Sequence, residues 1–347
     1  MTHETWPAED LEPMPFCPVC GGQERTLLFA DLTDRVFGVA PGQWTLYRCT
    51  GCKSAWLDPS PSRATIGKAY ESYYTHIAED DVAARPQSAF IRQLHAWQND
   101  YKNRHYGLAR TPVGFGGRWL VSLLPPLRAK ADTQCRHLRR PPAEGGRLLD
   151  VGFGNGSFLK IASEMGWNAE GIDFDPKAVE VARARGLNVR CASAADLSAH
   201  VEQYDVITIS HVIEHVHEPL NLLRDLYRLL KPGGHLWLDT PNLSSLGAQR
   251  FGRNWQALDP PRHLVLFTPV SLRMSLIKVG FLQIHQHWHG MVLFSIYAES
   301  AAIARGQCAQ DAAHPVIPSF TEVFAELQEM VCPAKREFLT FTARKPL

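Results

Sequence analysis

The feature that most constrains the fold is a regular alternation of short apolar strands and helices that begins at Arg147. Strands are predicted at 148–151, 169–173, 189–191, 205–210 and 235–240, and helices at 157–165, 176–185, 219–230 and 268–279. Strands alternating with helices of about ten residues form βαβ units, whose parallel sheet is covered by helices on both faces. We therefore expect an α/β fold with a doubly wound, mostly parallel, seven-stranded sheet, to which 337–344 returns as a final strand.

A glycine-rich turn with the sequence DVGFGNG follows the first strand, at 150–156. Its glycines let the backbone approach a ligand, and the N-terminus of the next helix offers free N–H groups. Such a turn alone fits either a dinucleotide or S-adenosylmethionine. Two carboxylates favour the second ligand. Asp150 stands where a cationic amino group or its water would lie, and Asp173 ends the second strand, where it can accept hydrogen bonds from both ribose hydroxyls.

Three segments carry a resemblance to a known family. The run 149–156 resembles motif I of the class I S-adenosylmethionine-dependent methyltransferases, 171–173 resembles their ribose-binding acid, and 229–234 resembles the turn before their fifth strand. The resemblance spans about 148–281 and implies a Rossmann-like methyltransferase. It places glycines beside the methionine moiety, Asp173 on the ribose, Phe174 against the adenine, and two residues of the next loop at the adenine edge. The expected cofactor set is Asp150, Gly152, Phe153, Gly154, Gly156, Asp173, Phe174, Ser193, Ala194 and Ser210.

Two Cys-x-x-Cys pairs precede this region, Cys17 with Cys20 and Cys49 with Cys52. A two-residue spacer lets both thiolates of a pair bind one ion, and two pairs complete a tetrahedron around zinc. We therefore expect a small N-terminal domain folded around one structural zinc ion. A closed four-thiolate site leaves no position for water or substrate. Its expected role is structural, namely to seat residues 70–76 over the cofactor cleft.

Histidines follow the fourth and fifth strands, whose carboxyl ends surround the reaction centre in open α/β sheets. The spacing of His211, Glu214 and His215 allows one helical face to carry all three, and His263 lies in the loop after the fifth strand. A histidine that titrates near neutrality can take the proton of an attacking hydroxyl. We predict that these four residues are catalytic, with His211 or His263 as the base. The histidines at 283–289 are expected to lie past the following helix, out of reach.

The run from His211 to His215 also resembles the Glu-x-x-Glu-His motif of metal-assisted methyltransferases of the ubiquinone-biosynthesis and small-RNA types. In those enzymes a distant histidine completes a divalent-ion site. Since His211 replaces the first glutamate, the resemblance points away from magnesium and leaves a second, softer divalent ion open. Structural roles stay open too: Glu214 and His215 as residues that pack the turn, and His263 as a fixed histidine. Trp255 fits either the floor of an acceptor pocket or the core.

The arrangement of cysteine pairs, connector and core resembles bacterial methyltransferases of cell-surface glycan and natural-product clusters. It implies methyl transfer to a hydroxyl of a sugar, glycan or natural product. The alternatives are an RNA methyltransferase that grips RNA with the zinc module and the connector, a sugar C-methyltransferase, and a non-catalytic protein that keeps the cofactor. The net charge of +1 disfavours a nucleic-acid partner, because such proteins usually carry a strong basic excess.

These features divide the chain into a zinc module at 1–60, a helical connector at 61–147 and a methyltransferase domain at 148–347. Residues 71–147 carry 12 basic and 7 acidic side chains, which fits a solvated connector or a surface for an anionic acceptor. The sequence lacks both an apolar stretch of about 20 residues and a secretory signal. We therefore expect a cytoplasmic protein without membrane insertion. Helices are also expected at 65–74 and 87–101, and irregular structure at 290–330. The oligomeric state is left open.

Overall fold

The computed structural model describes residues 5–70, 89–142, 145–312 and 319–347. The N-terminal part contains five short strands. Two of them pair only with each other, and the other three form an antiparallel sheet. The five strands are β1 (Leu11–Glu12), β2 (Arg25–Leu32), β3 (Trp44–Cys49), β4 (Ala55–Leu57) and β5 (Ser60–Pro61). Both Cys-x-x-Cys pairs lie at the ends of this small sheet, where the chain turns.

Three helices link the two ends of the described connector: α1 (Ala89–Tyr106), α2 (Gly117–Leu123) and α3 (Pro125–Gln134). Buried phenol groups join α1 to α3, because Tyr101 and Tyr106 both donate hydrogen bonds to the carboxylate of Asp132. The helix expected at 87–101 is therefore confirmed over its described part and is longer than expected. The helix expected at 65–74 is a short 3-10 helix at Ile66–Tyr70, and the rest of that segment lies outside the described residues.

Seven of the eight strands that the structure describes in the second half of the chain form one sheet. The strands with their flanking helices are β6 (Arg147–Val151), α4 (Ser157–Glu164), β7 (Asn168–Asp173), α5 (Pro176–Ala184), β8 (Val189–Cys191), β9 (Tyr204–Ser210), α6 (Pro219–Leu229), β10 (Leu230–Asp239), α7 (Leu246–Phe251), β11 (Val265–Leu266), α8 (Pro269–Val279), β12 (Leu282–His287), α9 (Leu293–Ala304), α10 (Phe320–Val331) and β13 (Thr340–Arg344). The spatial order is β12-β13-β10-β9-β6-β7-β8. The five strands from β10 to β8 run parallel, and β13 pairs antiparallel with both β10 and β12.

The expected doubly wound, mostly parallel sheet is confirmed. Leu148 and Leu149 in β6 are both fully buried, as expected for a central parallel strand covered on both faces. Helix starts follow the sequence as well. For example, the side chain of Asp175 accepts a hydrogen bond from the backbone N–H of Lys177 at the start of α5. The segment 290–330 is not irregular throughout, because it contains α9 and α10.

The N-terminal sheet is completed by a strand from the other end of the chain. Val265 in β11 pairs antiparallel with Trp56 in β4, so the small sheet has four strands rather than three. Because an element beyond residue 260 belongs to this sheet, the cysteine module is built into the larger domain. The division of the chain into a zinc module at 1–60, a connector and a methyltransferase domain stays a prediction.

A buried ion cluster strengthens this junction. The guanidinium of Arg262 is fully buried and donates to the carboxylates of Asp34 and Asp259. Asp34 also accepts hydrogen bonds from four backbone N–H groups of the loop that follows it. The one positive and two negative charges therefore attract one another inside the protein and fix the N-terminal loop to the segment before β11.

Among the described residues, no helix is both long enough and apolar enough to cross a bilayer.

Candidate functional site

The glycine turn between β6 and α4 forms a crowded backbone loop with one open side. Gly152, Gly154 and Gly156 all have positive φ angles, 69°, 55° and 77°, a region that favours glycine. A Cβ on Gly152 would lie 2.4 Å from Val212, and one on Gly156 would lie 2.5 Å from Leu187. A Cβ on Gly154 would meet no described atom within 4 Å. The loop is thus packed on two sides and leaves space at Gly154 for a ligand.

Asp150 lies beneath this turn and is completely buried. One carboxylate oxygen, Oδ1, bonds to the guanidinium of Arg136 and to the hydroxyl of Thr208. The other oxygen, Oδ2, has no hydrogen-bond partner among the described residues. An unpartnered buried carboxylate oxygen is unusual, and it is suited to the ammonium group that the sequence assigns to this position.

Asp173 ends β7 and holds the turn from the other side. Its two oxygens accept hydrogen bonds from the backbone N–H groups of Gly154, at 3.1 Å, and Asp175, at 3.0 Å. Burial raises the pKa of Asp173, although these two donors act in the opposite direction. Each carboxylate oxygen can accept a further hydrogen bond, as the ribose contact expected from the sequence requires.

An aromatic pair marks the expected adenine end of the cleft. Phe174 is largely exposed, and the ring of Tyr70 meets its edge at a centroid distance of 5.7 Å. Tyr70 also hydrogen-bonds His215 through its hydroxyl, at 2.9 Å. The expectation that residues 70–76 cover the cleft stays a prediction, because only Tyr70 of that segment lies among the described residues. Ser193 and Ala194 follow β8, where the side chain of Asp196 accepts both hydrogen bonds from Ser193.

We expect Asp173→Ala to weaken the binding of S-adenosylmethionine by about 1.5–3 kcal/mol, the usual range for a lost hydrogen bond to a charged group. Calorimetry on the purified chain measures this directly. Asp175→Ala, which removes a neighbouring carboxylate that lies past the turn, is the control and should bind nearly as tightly as the native chain. Equal affinity in all three proteins would show that Asp173 does not hold the ribose.

Two histidines meet one buried carboxylate at the carboxyl ends of β9 and β10. Asp239 is the last residue of β10, and its Oδ2 lies 3.5 Å from Nε2 of both His211 and His289. The ring of Phe338 meets the edges of both imidazoles, at 4.8 Å and 5.1 Å. The prediction that the histidines at 283–289 lie out of reach is therefore wrong for His289, because the chain after β12 turns back over the end of β10.

The two imidazoles differ in their partners. His211 faces a carboxylate with each nitrogen, since Nδ1 lies 3.2 Å from Glu214. Burial alone would lower the pKa of His211, but Glu214 and Asp239 raise it above its ordinary value. In His289, Nδ1 is buried and has no hydrogen-bond partner among the described residues. Burial lowers the pKa of His289, although the charge of Asp239 acts in the opposite direction. The pKa of His289 therefore lies below that of His211.

A second cluster lies behind His211. Glu214, His215 and His263 each offer one ligand atom, and these atoms all lie within 4.8 Å of one another. Nδ1 of His215 contacts the carbonyl of Arg262, and Nδ1 of His263 contacts the carbonyl of Ala257. Such contacts leave Nε2 of each ring as the metal-binding atom, the usual arrangement around a bound ion. Two nitrogens and one carboxylate oxygen suit zinc or a similar ion.

Charges in this cluster are strongly perturbed. Burial, together with His263, lowers the pKa of His215 to about 4. Burial alone would raise the pKa of Glu214, but His211 and the other two rings lower it to about 2. Both oxygens of Glu214 are also used, because the hydroxyl of Thr240 donates to the second at 2.9 Å. Glu214 is therefore an anion held between three imidazoles.

The backbone corrects one expectation about these residues. His211, Glu214 and His215 do not share a helical face, because the 3-10 helix covers only Ile213–His215 and His211 has a φ of 53°. His211 therefore lies towards Asp239, and His263 takes its place beside His215, with a ring distance of 4.7 Å. Trp255 is a core residue rather than a pocket floor, since it is 2% exposed and donates to Glu337.

The four N-terminal cysteines come together as the sequence predicts. Their sulfur atoms lie within 4.8 Å of one another, with Cys17 3.5 Å from Cys52 and Cys20 3.6 Å from Cys49. Four thiolates around a zinc ion are expected about 3.8 Å apart, given Zn–S distances of about 2.3 Å. The geometry and the all-sulfur donor set therefore suit a closed tetrahedral zinc site.

We expect the purified chain to contain one zinc ion, and Cys17→Ser/Cys49→Ser to lose it, because a pair of thiolates is then missing. Elemental analysis measures the zinc content. Cys191→Ser/Cys332→Ser, which changes two exposed cysteines outside the cluster, is the matched control and should retain the ion. Full zinc content in the first variant would contradict the assignment.

Three residues of this region have roles that the sequence does not predict: Arg136, Asp239 and His289. Asp239 and His289 carry little local signal, because they are 50 residues apart and meet only through the order of strands in the sheet. Arg136 lies in the basic stretch before β6, for which the sequence predicts a solvent-exposed surface. In the structure its side chain is buried against Asp150 and Thr208. The signal in the sequence for such a partner is Asp150, an acid in a predicted buried strand, which requires a positively charged or hydrogen-bonding group beside it.

Comparison with known sequences identifies a methyltransferase domain, whose family profile matches residues 127–286. The ubiquinone biosynthesis O-methyltransferase of Xanthomonas oryzae is 37% identical over 123 residues, which cover 31% of this chain and 52% of that protein. The enzyme of the same name from Thiobacillus denitrificans is 34% identical over 110 residues, which cover 30% of this chain and 47% of that protein. The chain thus spans about half the length of the curated relatives it matches.

A methyltransferase from Archaeoglobus fulgidus, described as dependent on S-adenosylmethionine, aligns with a TM-score of 0.42 and 20% identity, covering 58% of this chain and 86% of that one.

Proposed function

Since this chain contains a class I S-adenosylmethionine-dependent methyltransferase domain, we propose that it transfers the methyl group of S-adenosylmethionine to a hydroxyl oxygen. The acceptor in this proposal is a sugar, a glycan or a natural product. The observation that carries the proposal is the alignment of two half-sites along one sheet edge. The glycine turn with Asp150 and Asp173 follows β6 and β7, and the histidine pair on Asp239 follows β9 and β10.

The cofactor half-site has the donors and acceptors that S-adenosylmethionine requires. Oδ2 of Asp150 bonds to no described residue and is buried beneath the turn, so it meets the ammonium group only when the turn opens on binding. The open side of Gly154 leaves room for the methionine moiety. Asp173 and Phe174 are available to the ribose and the adenine. When bound, the cofactor supplies an electrophilic methyl group on a positively charged sulfur.

His289 is placed to receive the proton of the acceptor hydroxyl. With Nε2–H directed at Asp239, Nδ1 keeps a lone pair that bonds to no described residue. Because this atom is buried, the acceptor hydroxyl reaches it only when neighbouring groups move aside on binding. Asp239 itself is fixed, because Thr340 donates a hydrogen bond to its other oxygen at 2.5 Å. The carboxylate orients the ring and stabilises the imidazolium that forms. His211, with both nitrogens facing carboxylates, positions Asp239 and Glu214 rather than accepting a proton.

The cluster of Glu214, His215 and His263 supports a second part of the proposal, a divalent ion at this rim. If present, the ion would polarise an acceptor oxygen. Chelation separates the two cases. Transfer that survives EDTA depends on the histidine base alone, and transfer that is lost with EDTA and restored by an added divalent ion requires the cluster.

The names of the relatives support oxygen as the methylated atom, since both are O-methyltransferases. The test is transfer of labelled methyl from S-adenosylmethionine to a panel of nucleotide sugars, catechols and glycans, with poly(U) RNA included to represent nucleic acid. Asp173→Ala, assayed at a cofactor concentration well below its dissociation constant, is the low-activity control. Label on a hydroxyl acceptor is the expected result. Label on RNA alone, or on carbon, would replace the proposal by one of the alternatives above. Cofactor binding without transfer to any acceptor would favour a non-catalytic role.

A further inference from the structure

The helical segment at 89–142 carries a strong positive charge, although the net charge of the whole chain is only +1. Residues 89–142 contain ten Lys and Arg but only two acidic residues, both Asp, whereas the rest of the chain contains 26 basic and 33 acidic side chains. One of the two acids, Asp132, is occupied by two tyrosine hydroxyls. This segment is therefore the positively charged part of an otherwise acidic protein.

Large apolar side chains protrude from the same segment. Phe115 is fully exposed, and Trp119 and Leu123 are 66% and 79% exposed. Trp119 and Leu123 are four residues apart in α2 and share a face of it, and Phe115 stands in the turn that leads into the helix. We call these three residues the apolar ridge. Exposure of this degree on three neighbouring large side chains is unusual for a surface that faces only water.

The apolar ridge has a rigid base. A Cβ on Gly114 or on Gly117 would lie within 2.6 Å of Trp97 in α1, so the turn packs directly on that helix. The N–H of Gly114 donates to the carbonyl of Ala96, and the N–H of Arg118 donates to Asp100. The exposed side chains are therefore held outward by a fixed backbone.

Arginines flank the apolar ridge. Arg118 lies over the ring of Trp119, at 5.4 Å from its centroid, and Arg128 stands in the first turns of α3, which begins two residues after Leu123. Both side chains are exposed, and neither forms an ion pair with a carboxylate among the described residues. Their positive charge is consequently available to a partner.

We propose that the apolar ridge and its arginines dock this protein on the surface of an anionic lipid bilayer. Phenylalanine, tryptophan and leucine beside basic residues are typical of segments that lie in the bilayer interface, and a negatively charged leaflet attracts each basic residue. The contact is peripheral and needs no spanning helix.

Other partners match this surface less well. Two copies of the chain would bring like charges together here, which opposes self-association. Single-stranded RNA binds in basic grooves with flat aromatic platforms, whereas the apolar ridge protrudes and includes an aliphatic side chain. The surface also lies near the proposed acceptor site, because α3 packs on Gly290, next to His289.

Cosedimentation of the full chain with vesicles tests the proposal. The native chain should bind vesicles that contain phosphatidylglycerol and bind phosphatidylcholine vesicles much less, and salt should weaken the binding. Phe115→Ser/Trp119→Ser should lower the partition constant by about tenfold or more, since two large apolar side chains no longer enter the interface. Arg118→Gln/Arg128→Gln should lower it by about tenfold, through lost attraction to the anionic leaflet.

The matched control is Phe320→Ser/Phe324→Ser, which removes two exposed phenylalanines from α10, a helix with three Glu and no basic residue. This variant should bind vesicles like the native chain. Absence of binding by the native chain, equal binding to both lipids, or an equal loss in the control would each overturn the proposal. Binding to poly(U) RNA but not to vesicles would overturn it in favour of nucleic acid. Circular dichroism confirms that each variant is folded.

Discussion

His289→Ala is expected to lower the turnover number by about 10²–10⁴, the range for the loss of a general base, with the acceptor that the transfer assay identifies. The reason is geometric. Nδ1 of His289 is the one imidazole nitrogen of the Asp239 pair that no described residue occupies, so no other ring at this carboxylate can take its place. Affinity for S-adenosylmethionine should change little, because His289 contacts none of the residues assigned to the cofactor. Steady-state kinetics together with calorimetry measure both quantities.

The pH profile adds a second readout. Burial lowers the pKa of His289, so the neutral form of the base persists below the usual titration range of histidine, near 6.5. In the native chain, turnover should therefore fall only when the pH drops below that range, and His289→Ala should abolish this acid limb. His285→Ala, which changes a histidine of the neighbouring strand β12, is the control. A native-like rate in His289→Ala, or an acid limb that persists in this variant, would remove His289 from the chemistry.

Arg262→Met is expected to destabilise the protein by about 3–5 kcal/mol, the usual cost of removing one partner from a buried ion pair. The guanidinium is fully buried and satisfies two carboxylates, so its loss leaves Asp34 and Asp259 charged inside the protein without a counter-ion. Because Asp34 lies on the N-terminal side and Asp259 beside β11, the junction of the zinc module should loosen first. Denaturant unfolding and hydrogen exchange measure these two effects.

Arg224→Met is the matched control for this change. Arg224 is exposed on α6 and bonds only to Asn221 among the described residues, so we expect a change within about 0.5 kcal/mol. Equal stability of the Arg262 variant and the native chain would show that the zinc module is held by its strand pairing with β11 rather than by the ion cluster.

Local patterns were enough to predict the central architecture. Apolar runs such as β6 and turn signals such as Gly280 after α8 mark elements whose type depends on their own residues. The glycine turn is similar, because three closely spaced glycines directly after a predicted strand are recognised from the sequence alone. The cysteine pairs also required no tertiary knowledge, since the spacing within each pair sets the ligand geometry.

The rest depended on contacts between distant segments. The strand β11 is two residues long and has no periodicity of its own, and it exists only because β4 offers a free edge. The same holds for the Asp239 centre. Its histidines come from the loop after β9 and from the end of the β12 segment, and no spacing rule connects positions 211, 239 and 289. The left-handed backbone at His211 broke the helical spacing on which the sequence argument relied.

The central claim, that the turn between β6 and α4 binds S-adenosylmethionine, is tested most directly by titrating the purified chain with this cofactor and with NAD. The structure predicts saturable binding of one S-adenosylmethionine per chain, competition by S-adenosylhomocysteine, and no binding of NAD. Binding of NAD in place of S-adenosylmethionine, or of neither ligand by a folded, zinc-loaded chain, would contradict it.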